Sequence, residues 1–152
     1  MGKLKELRKY VDQELMGLDE EKRTSAVAHL YGVSLAAALI AEKRGLNPEL
    51  LCMAAMLHDL HAYRSGSYDD HAHLGAELAR EILEKLNLTT PEETEQICSA
   101  IYHHDDKLVT DSPFDEGLKD ADVIDHCFKD PSKEVKEKEK TRYMALKTEF
   151  GL

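Results

Sequence analysis

The sequence predicts an all-α fold, a single-domain bundle of about seven helices spanning residues 1–152. Three observations carry this. All four prolines follow a good N-capping residue, in Asn47-Pro48, Thr90-Pro91, Ser112-Pro113 and Asp130-Pro131; proline suits the first helical position, where its missing N–H is no loss. Apolar residues between these marks recur at helical spacing, and no segment alternates like a strand.

The first helix is expected over 3–16. Its apolar positions Leu4, Leu7, Val11 and Leu15 fit a cap on the bundle, with pairing to a second copy as the alternative. The second, 21–44, carries one apolar stripe of Val27, Leu30, Tyr31, Ser34, Leu35, Ala38 and Leu39 and stops near Gly45. The third, 48–61, is apolar from Leu50 to Leu57. A turn at Gly66 leads to Asp69-Asp70, the expected start of 70–87, where Leu74, Leu78, Ile82 and Leu86 recur every four residues. Thr90 with Glu93 forms a capping box for 91–106, and Ser112 with Asp115 nearly does so for 113–128. The last helix, 132–150, opens with the charge run Lys133 to Lys140 and reads as a solvated surface helix outside a core of about 21–128.

Composition narrows the function classes. Charged residues make up 33% of the chain and the net charge is −10, which argues against a nucleic-acid polymer as partner. A small anionic substrate stays open, because bound cations invert the local field. Cys52, Cys98 and Cys127 are too few and scattered for a disulfide framework or zinc ribbon and read as reduced core residues. Met1-Gly2-Lys3-Leu4-Lys5 opens a charged amphipathic segment rather than a leader, and Glu6 breaks the myristoylation pattern. No apolar stretch reads as long enough to span a bilayer. No membrane association is expected, and the cytoplasm is the expected compartment.

The doublet His58-Asp59 closes an apolar helix, Leu50 to Leu57. Two adjacent ligand-type side chains there are costly unless something binds them, and an imidazole beside a carboxylate suits a divalent metal. His29 lies inside the second helix, His71 opens the fourth, His103 and His104 close the fifth, and Asp122 lies in the sixth. Taken singly, each has a structural explanation: a hydrogen-bonded core histidine, a helix cap, a salt-bridge partner. Taken together, five successive helices each offer a metal-binding residue, as when a helical bundle builds a metal centre from inward-facing side chains.

This order of residues resembles the HD-domain metal-dependent phosphohydrolase superfamily, an all-helical fold. The resemblance covers about residues 25–128. His29 matches its first histidine, Leu57-His58-Asp59-Leu60 the doublet, and Ala121-Asp122 with the tail Val123-Ile124-Asp125 the last aspartate. His71-Ala72-His73-Leu74-Gly75-Ala76 resembles the extra His-x-x-x-Gly-Ala element of several branches, and Ile101-Tyr102-His103-His104 the histidine element ahead of the last aspartate. Asp105-Asp106-Lys107-Leu108 replaces the Gly-Tyr-Pro loop of the cyclic dinucleotide branch, and Ala62-Tyr63 the Glu-Asp of the alarmone branch. The branch that cleaves diadenosine tetraphosphate symmetrically is similar in size and in the His-x-x-x-Gly-Ala element, but matches less well at the later histidine and beyond the last aspartate.

The resemblance implies a hydrolase acting on a small phosphorylated metabolite, a nucleotide being expected, through attack of a metal-bound hydroxide on phosphorus. It implies one ion on His29, His58, Asp59 and Asp122 and a second on His71, His103 and His104, bridged by Asp59. Nitrogen and oxygen donors suit iron or manganese first, and also nickel, cobalt or zinc. Arg64 and Lys107 are the expected phosphate-binding cations, and Asp106, Asp70 or His73 the expected proton donor to the leaving group. Two other readings keep the ligands: a di-iron oxygenase of the same superfamily, and a non-catalytic metal- or nucleotide-binding module.

Overall fold

The computed structural model describes residues 2–152. Among these the order is α1 (Lys3–Leu15), α2 (Glu20–Arg44), α3 (Pro48–Leu57), α4 (Leu60–Ser65), α5 (His71–Leu86), α6 (Pro91–His103), α7 (Pro113–Phe128), a 3-10 turn (Glu137–Glu139) and α8 (Lys140–Phe150), with no strand. Three of the four Pro signals start helices. Asn47, Thr90 and Ser112 each accept a hydrogen bond from the backbone N–H three residues on, and Thr90 with Glu93 closes the full capping box.

The central helix is α3. Every residue from Leu50 to Leu57 is buried, as expected of a helix apolar on all sides. It packs against α1, α2, α6 and α7. Leu7, Val11 and Leu15 of α1 are buried in the same core, so this helix caps the bundle. The α2 stripe divides: Leu30 and Ser34 are buried with Val33, Ala37 and Ile40, while Leu35 and Leu39 are exposed. By length and composition, α2 is long and apolar enough to cross a membrane, contrary to the sequence reading. Its inward face nevertheless supplies core residues against α3 and α7.

Two other expectations are corrected. The helix expected over 48–61 breaks at the doublet, and α4 begins afresh at Leu60. The helix expected over 132–150 begins only at Lys140. Asp130 instead accepts from the N–H and hydroxyl of Ser132, which turns the chain at Pro131. The region is not merely a solvated face either. Glu139 and Leu146 are buried, and α8 packs on α7.

Candidate metal centre

The doublet's geometry follows from the break in the helix. Successive side chains on a continuous helix point about 100° apart, so His58 and Asp59 would diverge. His58 ends α3 with ordinary helical torsions, but Asp59 sits at φ −114°, ψ 6°, the sparsely populated bridge region where active-site residues recur. Both side chains thereby face one centre.

Asp59 offers that centre two faces. Its Oδ2 lies 3.1 Å from His29 Nε2 and 3.4 Å from His58 Nε2. Asp122 Oδ1 lies 3.3 Å and 3.4 Å from the same two nitrogens. On the other side, Asp59 Oδ1 lies 3.3 Å from His104 Nε2 and 3.5 Å from His71 Nε2. Gly75 eases the His71 approach. A Cβ there would stand 3.3 Å from the His58 carbonyl oxygen, so the missing side chain lets α5 pack on the doublet one turn beyond His71.

All the imidazoles are oriented alike. The Nδ1 of His58 donates to Ala55 O at 2.6 Å, that of His104 to Ile101 O at 2.6 Å, and that of His71 to Tyr68 O at 3.0 Å. His29 Nδ1 reaches Asp125 Oδ2 at 2.8 Å. The close approach of Asp125 depends on Gly32, where a Cβ would lie 2.0 Å from Asp125 Oδ1. A carbonyl can only accept, so at His58, His71 and His104 the proton resides on Nδ1. Their Nε2 lone pairs are then available to a cation when the rings are neutral.

The electrostatics are those of a site short of positive charge. Burial by itself would lower the His29 pKa, but Asp122, Asp125 and Asp59 outweigh it and hold the imidazole up to about 11. His58, fully enclosed, is likewise raised to about 9 against its burial by Asp59 and Asp122. Burial lowers His104, with Asp59 only partly opposing it. Burial would push Asp59 up, yet His58, His104 and His29 hold it well below the usual carboxylate range. Asp122 is held low in the same way by Lys107, His29 and His58.

Most of the expected residues converge here, and some do not. His29, His58, Asp59, His71, His104 and Asp122 come together. His103 does not: as the neighbour of His104 on one helix it faces elsewhere, with Nδ1 2.9 Å from Asp115 Oδ2. His73 is exposed, paired with Asp70 at 2.9 Å and stacked on Tyr102. Asp106 is exposed and lies outside the cavity lining. Arg64 pairs with Glu14 of α1. Lys107 reaches the centre but is committed there: its buried ammonium donates to Asp122 Oδ2 at 2.9 Å and to His104 O at 2.7 Å. The family motifs do not include His126, one turn beyond Asp122 on α7, which stacks on His29 with ring centroids 5.2 Å apart. Its signal was the i, i+4 spacing from Asp122, which puts both on one helical face.

The centre floors an open cavity of about 720 Å³. Tyr63 and Tyr68 line one side. The segment after α7 lines another, with Lys129, Lys133, Lys136 and Lys138.

The residues fit a divalent ion. Asp59 Oδ1 and Asp122 Oδ1 are buried and have no hydrogen-bond partner; such an atom costs about 1–3 kcal/mol unless compensated. Both are ringed by imidazole Nε2 atoms, and that donor set suits first-row transition metals.

Known proteins are similar to this chain in sequence and in fold. The HD domain family model matches residues 26–129. YueE of Bacillus subtilis (strain 168), named as a candidate phosphohydrolase, is 31% identical over 117 residues, 66% of each chain. The crystal structure of a predicted HD superfamily hydrolase from an uncultured Thermotogales bacterium superposes with a TM-score of 0.69 at 21% identity, covering 99% of this chain and 90% of that one; the likeness is one of fold. With its family model spanning the helices that build the centre, this chain belongs to the HD domain family.

Proposed function

We propose that the protein is a metal-dependent phosphohydrolase acting on a small phosphorylated metabolite, a nucleotide in the first instance. The observation that carries this reading is the pair of donorless carboxylate oxygens, Asp59 Oδ1 and Asp122 Oδ1, each facing imidazole Nε2 atoms. His29, His58, Asp59 and Asp122 would hold one ion; Asp59, His71 and His104 would hold a second. A divalent ion supplies Lewis acidity toward phosphoryl oxygens and acidifies bound water. Iron and manganese suit the mixed donors first.

The chain's own residues do the rest. Lys107 fixes the Asp122 carboxylate so that only Oδ1 faces the centre. Asp125 holds the His29 ring in register. Lys133 and Lys136 stand on the cavity wall among the acidic Asp130 and Glu134, so they offer an anionic substrate individual cations rather than a positive field. The name of the Bacillus relative points the same way.

The test is phosphate release from nucleoside mono-, di- and triphosphates and dinucleoside polyphosphates, by protein stripped with chelator and reloaded with Mn2+ or Fe2+. Metal-dependent release of phosphate or of a nucleotide product is expected. Reloaded protein that cleaves none of them would sink the reading. Because the same donors would serve an oxygenase, the assay runs with and without oxygen; substrate loss that needs oxygen would favour that alternative.

A further inference from the structure

Five imidazoles, not four, form a continuous chain through the centre. Ring centroids are 5.2 Å apart for His126–His29, 5.0 Å for His29–His58, 5.0 Å for His58–His104 and 5.1 Å for His104–His71. Four of these rings are already placed. The fifth, His126, obeys the same rule as the others: its Nδ1 is tied to an acceptor and its Nε2 faces a donorless oxygen. The tie is Glu139 Oε2 at 2.8 Å, and the oxygen is Asp122 Oδ1 at 3.4 Å.

Glu139 is the more informative partner. It is 1% exposed, and burying a carboxylate is expensive unless it is paired. Its side-chain hydrogen bond goes to His126. A buried carboxylate that grips one ring nitrogen fixes both the orientation and the basicity of the other, as in carboxylate–histidine–metal triads. Glu139 also lies beyond residues 26–129, so the grip comes from a part of the chain outside the matched family segment. The charged stretch between α7 and α8 is thus pinned where it can hold a ligand in place. A ring nitrogen of His126, a ring nitrogen of His29 and an Asp122 oxygen lie within 4.8 Å of one another, a separation one ion can bridge.

We infer that His126 is a further ligand to the ion held by His29, His58, Asp59 and Asp122, oriented by Glu139. The inference rests on the metal-centre reading above and adds a nitrogen donor to that ion. An extra imidazole strengthens the site most for metals late in the Irving–Williams order, so it biases the ion toward cobalt, nickel or zinc relative to manganese.

The experiment uses the full-length protein stripped of metal and titrated separately with Co2+, followed by its visible absorption, and with Mn2+, followed by electron paramagnetic resonance. His126→Ala should weaken Co2+ binding at one site by about 100-fold or more, beyond what loss of an outer-shell partner costs, weaken Mn2+ binding less, and change the Co2+ spectrum. Glu139→Gln should shift both in the same direction by a smaller factor, and exposed His73→Ala should change neither. Parental Co2+ affinity and spectrum in His126→Ala would overturn the inference while leaving the metal centre intact. If His126→Ala does not fold, Glu139→Gln decides, and an unchanged Co2+ affinity there overturns it. A parental protein that takes up neither ion would overturn the metal-centre reading itself.

Discussion

Helix α7 buries carboxylates on two faces, and the two clusters are built differently. On one face Asp120 receives Arg142 at 3.1 Å and Arg44 at 2.8 Å, Glu116 receives Arg142 at 2.9 Å, and Glu149 receives Arg44 at 2.8 Å. Planar guanidinium forks satisfy carboxylates in pairs, and α8 docks through them. On the other face Asp122 meets imidazoles and one committed lysine, and Asp122 Oδ1 has no donor. Burial of acidic groups is therefore common to both clusters. What separates a structural cluster from a metal centre is the oxygen without a donor.

Asp59→Ala should have the largest effect, since Asp59 faces both proposed ions. Metal affinity should fall by at least about 100-fold, beyond what loss of an outer-shell partner costs. Metal analysis of the purified variant checks this, and full occupancy would break the distinction between the clusters. Next in size is the response to metal itself. Mn2+ at 100 times its dissociation constant should stabilise the fold by about 2.7 kcal/mol, and chelator should reverse the shift in melting temperature. Arg142→Ala should cost about 2 kcal/mol, less than breaking a fully buried pair because the cluster keeps some contact with water. Urea unfolding measures the loss, and metal titration should be unchanged.

The guanidinium cluster should also give way in acid. Arg44 holds Glu149 below its ordinary value of 4.5, and Arg142 does the same for Glu116 against the opposing effect of burial. A lowered carboxylate stabilises the fold above its unfolded pKa and loses that contribution as pH falls through the folded value. Docking of α8 should therefore weaken progressively below about pH 4.5, with Arg142→Ala flattening the slope of stability against pH. The smallest effect is expected for His103→Ala. It removes a partly exposed pair with Asp115, should cost under about 1 kcal/mol, and should leave metal uptake intact.

What the sequence revealed and what it hid follow from the range of the interactions. Helix starts at Asn47, Thr90 and Ser112 were legible because capping is local: residue and partner lie three positions apart. The same signal failed at Asp130-Pro131, because the charged stretch after it has little apolar face to bury and the Asp130 side chain turns the chain instead. The residues His29, His58, Asp59, His71, His104 and Asp122 were legible as a pattern. The choice between His103 and His104 was not, since it depends on which helical face meets α3. Arg64 and Lys107 were plausible phosphate binders by proximity in sequence, yet each is committed to a carboxylate. His126 and Glu139 were hidden because their pairing joins α7 to a segment with no motif of its own.

Gly32 bears on how this protein would respond to efforts to make it sturdier. Replacing a mid-helix glycine with alanine is a standard stabilising exchange, worth about 0.5–1 kcal/mol in helix propensity. At position 32 the added methyl would collide with the Asp125 carboxylate and push it off His29. Asp125 is buried and bonded to both His29 and Lys129, so the cost of displacing it outweighs the propensity gain, and Gly32→Ala should lower the melting temperature and slacken the first histidine together. Melting temperatures across alanine replacements of helical glycines should show position 32 departing from the general trend.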